Sequence, residues 1–138
     1  MTKVVIDSDV IIDFLRTGKG ALLKLFESQK NGKLELFLSA VTVLELFAGK
    51  SSKKISKELD EFLSGCTVVD LGKELAQFAG KLKRDHNTNL ALADLIVAAT
   101  CLSLRAKIAT RNKRHYQTIP KLRFYPISTL PSEPVVFV

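Results

Sequence analysis

The strongest constraint on this chain is the alternation of short apolar runs with stretches of helical periodicity. Lys3-Val4-Val5-Ile6 is short, apolar and rich in β-branched residues, as a strand buried on both faces requires. Leu34 to Leu38, Thr67 to Asp70, Lys107 to Thr110 and Leu122 to Tyr125 are further strand candidates. Between them the pattern turns helical: residues 9–16, then 21–30 closed by Asn31-Gly32, then 40–49 capped by Ser39. Residues 52–63, 71–84 and 89–105 follow in the same manner. Strands alternating with helices over 138 residues predict one α/β domain in three layers, a central, mainly parallel sheet covered on both faces. No repeat or linker divides residues 1–138, and the Pro-containing tail, 126–138, is expected to be extended. In such sheets ligands collect outside the carboxyl ends of the strands, near a topological switch point. Asp7 and Ser39 follow strands directly, and Thr110 to Asn112 closes another.

Three acids stand in apolar company. Asp94 is the one charged residue between Asn89 and Leu104. A buried, unpaired carboxylate costs several kcal/mol, so it is expected to be neutralised, paired or metal-bound. Alternatively the helix begins at Asp94 and the residue is its cap. Glu45, in Val43-Leu44-Glu45-Leu46-Phe47, reads equally as an exposed helix position or a lysine partner. Asp7 ends the first strand, where it also suits an N-cap. Asp9 and Asp13 are four apart on the next helix and repel, whereas Asp13 and Arg16 are spaced to pair. Asp13 is therefore read as structural and Asp9 as a supporting acid. Carboxylates from separate elements, if they converge, suit a hard divalent ion such as Mg²⁺ or Mn²⁺, which polarises a phosphodiester and activates water.

Charge points the same way. Lys and Arg number 21 against 14 Asp and Glu, a formal net charge of +7, which favours a polyanionic partner such as nucleic acid. Arg16, Arg111, Lys113 and Arg114 lie near the expected strand ends as phosphate contacts, or else as a solvated face. Cys66 and Cys101 form no CxxC pair and sit among apolar residues, as thiols do in a reducing cytoplasm. Neither a signal-peptide apolar region nor an apolar stretch long enough for a membrane span is present, so a cytoplasmic location is expected.

Four segments carry a resemblance. Val4 to Ile12, with its strand ending in Asp7-Ser8-Asp9, resembles the opening of PIN-domain nucleases. Leu38 to Leu46 is similar to their second motif, which supplies Glu45. Leu92 to Thr100 is similar to the third, which supplies Asp94. Ile108-Ala109-Thr110-Arg111-Asn112 before His115-Tyr116 matches their Thr-x-Asn block. The resemblance spans nearly the whole chain, in order. It implies a three-layer PIN fold and Mg²⁺- or Mn²⁺-dependent endonucleolytic cleavage of RNA, with Asp7, Glu45 and Asp94 as catalytic, metal-binding acids. Ser8 and Thr110 would orient the site, and Asn112 would support it by hydrogen bonding. At this length the chain most resembles the toxin ribonucleases of VapBC toxin–antitoxin pairs, which implies a small antitoxin partner and a homodimer.

One position departs from that pattern. The family often has a further Asp where this chain has His115, and a neutral imidazole suits Mg²⁺ poorly. His115 is expected to be a weak ligand, a phosphate contact or a surface residue, and a second metal ion is in question. Two other functions compete: a catalytically weak PIN domain that binds RNA or a partner without cutting, and a haloacid-dehalogenase-like phosphatase opening on Asp7-Ser8-Asp9-Val10. The phosphatase lacks its paired-acid motif here.

Overall fold

The computed structural model describes residues 1–49 and 52–127. Five strands, β1 (Thr2–Ile6), β2 (Leu34–Ser39), β3 (Thr67–Val69), β4 (Lys107–Ala109) and β5 (Arg123–Phe124), form one sheet in the order β3-β2-β1-β4-β5. Every pairing is parallel. The chain builds outward from β1 through β2 to β3, then crosses back to add β4 and β5 on the other side. The strand order thus reverses between β1 and β4, and the crevice at their carboxyl ends is the switch point.

Alternation along β1 sorts the core into two layers. Val4 and Ile6 pack with α1 (Ser8–Thr17), α2 (Ala21–Lys30), Leu46 of α3 (Ala40–Ala48) and α4 (Ser56–Ser64). Val5 packs with α5 (Lys73–His86), α6 (Leu92–Leu104) and Tyr116 of α7 (Lys113–Tyr116). Val4, Val5 and Ile6 are all 0 % exposed, and burial of each such side chain is worth roughly 1.5–3 kcal/mol before chain entropy is set against it. This is why the run is continuously apolar rather than alternating. Helix α6, lying in the interior, is buried around most of its girth, from Leu95 through Cys101, which explains its lack of a polar stripe.

The expected architecture holds, with shifts at particular ends. The helix expected from residue 52 begins at Ser56, after a run of turns. The helix expected from Asn89 begins at Leu92, because Thr88 takes up the Leu90 amide (3.2 Å) and Ala91 is extended. Helix α7 has no forecast; its four residues are too short for periodicity to register. Beyond Ile127 the expected extended tail lies outside the described residues. No helix among them is long and apolar enough to cross a membrane.

The α1–α2 connection shows how closely the fold is fitted around one acid. Gly18 closes α1 in the left-handed conformation and donates to the Phe14 carbonyl at 2.7 Å. Gly20, at φ 114°, passes so close to Asp13 that a Cβ there would stand 2.8 Å from Oδ2. We predict that Gly20→Ala lowers stability by about 1–3 kcal/mol, read as a shift in urea midpoint at constant slope. Gly72→Ala, where nothing lies within 4 Å and φ is −91°, is expected to stay within about 0.5 kcal/mol of the parent.

Candidate active site

Position in the sheet creates the site. The Asp7 amide continues the β1–β4 ladder by donating to the Ala109 carbonyl at 2.9 Å, which sets Asp7 and Thr110 side by side just beyond the two strands. Thr110 Oγ1 donates to Asp7 Oδ2 at 2.9 Å and lies 3.3 Å from Asp9 Oδ2. The Ser8 amide donates to Asp7 Oδ1 at 2.9 Å, so Asp7 also caps α1. Asp7 is thus the cap that one reading of the sequence offered, and it stands at the strand end on which the other reading rests. Ser8 acts there through its backbone rather than its hydroxyl. Asn112 likewise contributes its amide, to Thr110 Oγ1 at 3.1 Å, while its side chain is exposed.

Asp94 is hydrogen-bonded, as expected of a carboxylate in apolar company, and stands close to the helix start that was the alternative reading. It is the third residue of α6, in the first turn, where the helix dipole favours negative charge. Its side chain is 28 % exposed and meets His115 Nε2 at 2.8 Å. The Tyr116 hydroxyl donates to its other oxygen at 3.3 Å. Tyr116 is the functional candidate that sequence reasoning missed. Fully buried, its hydroxyl also hydrogen-bonds Asp7 and so spans the two acids. An aromatic at that place looks like ordinary core, and only the fold reveals that its polar end is shared.

Glu45 approaches from α3. It is half-buried and no described residue hydrogen-bonds its carboxyl. Three residues earlier on the same helix, the buried Thr42 hydroxyl also lacks a described partner. Burial holds the Glu45 carboxyl above its usual range, and the charges of Asp94 and Asp7 push it further. Asp7 is raised chiefly by burial, against the hydrogen bonds from Thr110, Tyr116 and Ser8, and the Asp94 charge adds to the rise. Asp9 is pushed up to about 7 by burial and then by Asp7, although it accepts the Arg111 amide at 3.1 Å. The three carboxyls Asp7, Glu45 and Asp94 therefore sense one another across three separate elements, and no described lysine or arginine forms an ion pair with any of them.

Such a donor set fits a hard divalent cation in chemistry. Among the described residues, however, no three His, Cys, Asp or Glu side chains stand close enough to hold an ion by themselves. The two facts agree for an ion that keeps several waters and takes only one or two carboxylates directly, as Mg²⁺ does. The basic residues are distributed unevenly. Arg111 is tied to Asp13 at 3.2 Å, the pairing the sequence spacing had suggested for Arg16. The β4 end brings Arg111 against the inner side of α1, while Arg16 is exposed in the last turn of that helix. Lys113 and Arg114 are exposed on α7 beside His115. Cys66 and Cys101 are free thiols, and burial pushes Cys66 up to about 12.

An all-parallel, doubly covered sheet with acids gathered at its switch point defines a class of small α/β proteins with an acidic crevice. Within that class the chain belongs to the PIN domain family, whose model matches residues 4–120. It is 28% identical over 121 residues to Ribonuclease VapC19 of Mycobacterium tuberculosis, covering 86% of this chain and 95% of that protein. Ribonuclease VapC10 of the same organism is 29% identical over 124 residues, covering 87% and 90%. A chain of DNA-bound VapBC from Salmonella typhimurium superposes with a TM-score of 0.78 at 19% identity, covering 91% of this chain and 98% of that one. A chain of promoter-bound VapBC2 from Rickettsia felis gives 0.77 at 18%, covering 92% and 100%.

The raised acids make stability depend on pH. Asp9 keeps its proton to about 7 when folded, against an ordinary value of 3.8, so its contribution is fully present below about pH 4 and is lost as pH rises towards 7. In chelator, Asp9→Asn is expected to match the parent near pH 4 and exceed it above pH 7 by on the order of 2–4 kcal/mol. Denaturant titrations of both proteins across that range are the measurement; a constant difference would contradict it.

Proposed function

We propose that this chain is a metal-dependent endoribonuclease that hydrolyses RNA phosphodiester bonds, with Asp7, Glu45 and Asp94 holding Mg²⁺ or Mn²⁺, and that it is the toxin of a toxin–antitoxin pair. The observation that carries this reading is the set of three carboxyls, from the end of β1, α3 and α6, that crowd one another with no described lysine or arginine paired to them. The naming of the relatives as ribonucleases and the VapBC assemblies of the structural neighbours support it.

A divalent ion at this place would supply the charge that draws in the scissile phosphate and lowers the pKa of an attacking water. The chain's own part is positioning. Thr110 and the Ser8 amide fix the two oxygens of Asp7. Tyr116 and His115 fix those of Asp94. Both acids are thereby held before any cation arrives, so little ordering remains to be done on binding. Asp9, held by the Arg111 amide, stands behind Asp7 and adds negative charge only as pH rises through about 7. His115, when protonated, would place a positive charge beside Asp94 at 2.8 Å, and Lys113 and Arg114 on the same short helix would meet RNA phosphates.

Partners follow from the rim. Leu44 and Leu92, each within two residues of an acid, are 66% and 67% exposed, and Phe47 is 39% exposed. Apolar side chains around a polar crevice suit coverage by protein, whether an antitoxin or a second copy of the chain in a homodimer. The reading places the protein in the cytoplasm, where RNA and an antitoxin would be met.

The test is RNA cleavage with Mg²⁺ or Mn²⁺, with and without chelator. Asp7→Asn and Asp94→Asn are expected to lower the rate by at least about 10²-fold, with the melting temperature kept or raised because repulsion is relieved. Tight RNA binding without cutting by the parent would favour the non-catalytic PIN reading. Release of phosphate from monoesters without RNA cleavage would favour the phosphatase.

A further inference from the structure

A second concentration of charge lies at the opposite end of the sheet. A cavity of about 430 Å³ opens at the amino ends of β1, β4 and β5, lined by Lys3, Arg105, Lys107 and Arg123 together with Thr2 and Leu104. No acidic residue lines it, and none of the four cations forms an ion pair among the described residues. Glu35 is the registered neighbour of Lys3 on β2 but stands outside the lining. Protein surfaces ordinarily intersperse the two signs of charge, because like charges gathered in one concavity repel. A concave, low-dielectric wall also focuses their field on whatever anion enters.

The cavity is a built feature of the fold. Arg105 ends α6 in the left-handed conformation at φ 55°, and its carbonyl accepts from Arg123 Nη2 at 3.0 Å. That contact ties the end of α6 to the edge strand. The same edge strand leads towards the acids: Lys113 Nζ of α7 sits 6.0 Å from the Phe124 ring, one residue from Arg123. Positive charge is therefore available from α7, beside the acid crevice, along β5 to the cavity. The five residues of β1 separate the two ends by about 16 Å at about 3.3 Å per residue.

We propose that this cavity is a second, non-catalytic phosphate site that grips the RNA backbone away from the scission point. The ligand chemistry is a phosphodiester run, and its identity as RNA rests on the ribonuclease reading above. A chain of about two nucleotides carries a single linking phosphate and cannot occupy crevice and cavity together, whereas about 14 nucleotides, within the range of single-strand sites, is long enough.

The experiment uses the full chain, end-labelled single-stranded RNAs of those two lengths, fluorescence anisotropy in chelator, and the variant Lys3→Gln/Lys107→Gln. Neither lysine makes a hydrogen bond that its loss would break, and Arg105→Gln repeats the measurement should the double variant not fold. The longer RNA is expected to bind the variant three- to tenfold more weakly, with a salt slope shallower by about 1.4 for two lost contacts. Binding of the short RNA, and its cleavage with Mn²⁺, should be unchanged. Equal loss for both lengths, or no loss, would overturn the cavity assignment. Pyrophosphate displacing the long RNA from the parent but not the variant would identify a free-phosphate site and overturn the RNA-grip assignment. Length-dependent loss without any cleavage by the parent would sink the ribonuclease reading and leave the cavity as a nucleic-acid site.

Discussion

The hydrogen bond from Thr110 to Asp7 is the contact on which the rest of the molecule turns. It joins residues 103 positions apart at the point where the sheet changes direction, and it does so with a buried carboxyl. A carboxyl in that place is unfavourable on its own, because burial penalises its charged form. The fold offsets this with donors: Thr110, the Ser8 amide and the Tyr116 hydroxyl all reach Asp7. Each comes from a different segment, so the acid can be held only when β1, β4 and α7 are together. The acid at the centre of the crevice also verifies assembly.

Much of this was legible in the residues. Continuous β-branched runs marked the buried strands, and Asp7 was marked because a charged residue directly after such a run has to lie at the strand's end. What the sequence hid was register in three dimensions. For Asp94, interior and helix-start positions stood as alternatives, because helical periodicity does not reveal where an apolar helix starts. The Thr88 hydroxyl and the extended Ala91 moved the start to Leu92 and brought the acid into the first turn. Arg111 was indistinguishable from other surface cations until the β4 end carried it to Asp13. Tyr116 was hidden for the opposite reason: as a large aromatic it satisfied the core pattern so well that its hydroxyl went unread.

His115 shows how substitution at one corner can be absorbed by the frame around it. Where a further acid would add negative charge, this chain has an imidazole hydrogen-bonded to Asp94 and set edge-on to Tyr116 at 5.4 Å. A protonated imidazole there would relieve repulsion among the carboxyls, whereas an added acid would increase it. The trade is lower electrostatic strain in exchange for less negative charge in the crevice.

The central place of β1 has a consequence for the history of each molecule. Its partner on one side, β2, begins at Leu34, but its partner on the other, β4, begins only at Lys107. On the ribosome, at about 5–20 residues per second, Asp7 emerges on the order of 5–20 seconds before Thr110 does. During that interval one edge of β1 has no strand to pair with, and the acid crevice does not exist. Until Thr110 emerges a nascent chain of this design lacks the crevice, and anything that binds the open β1 edge in that window competes with maturation itself.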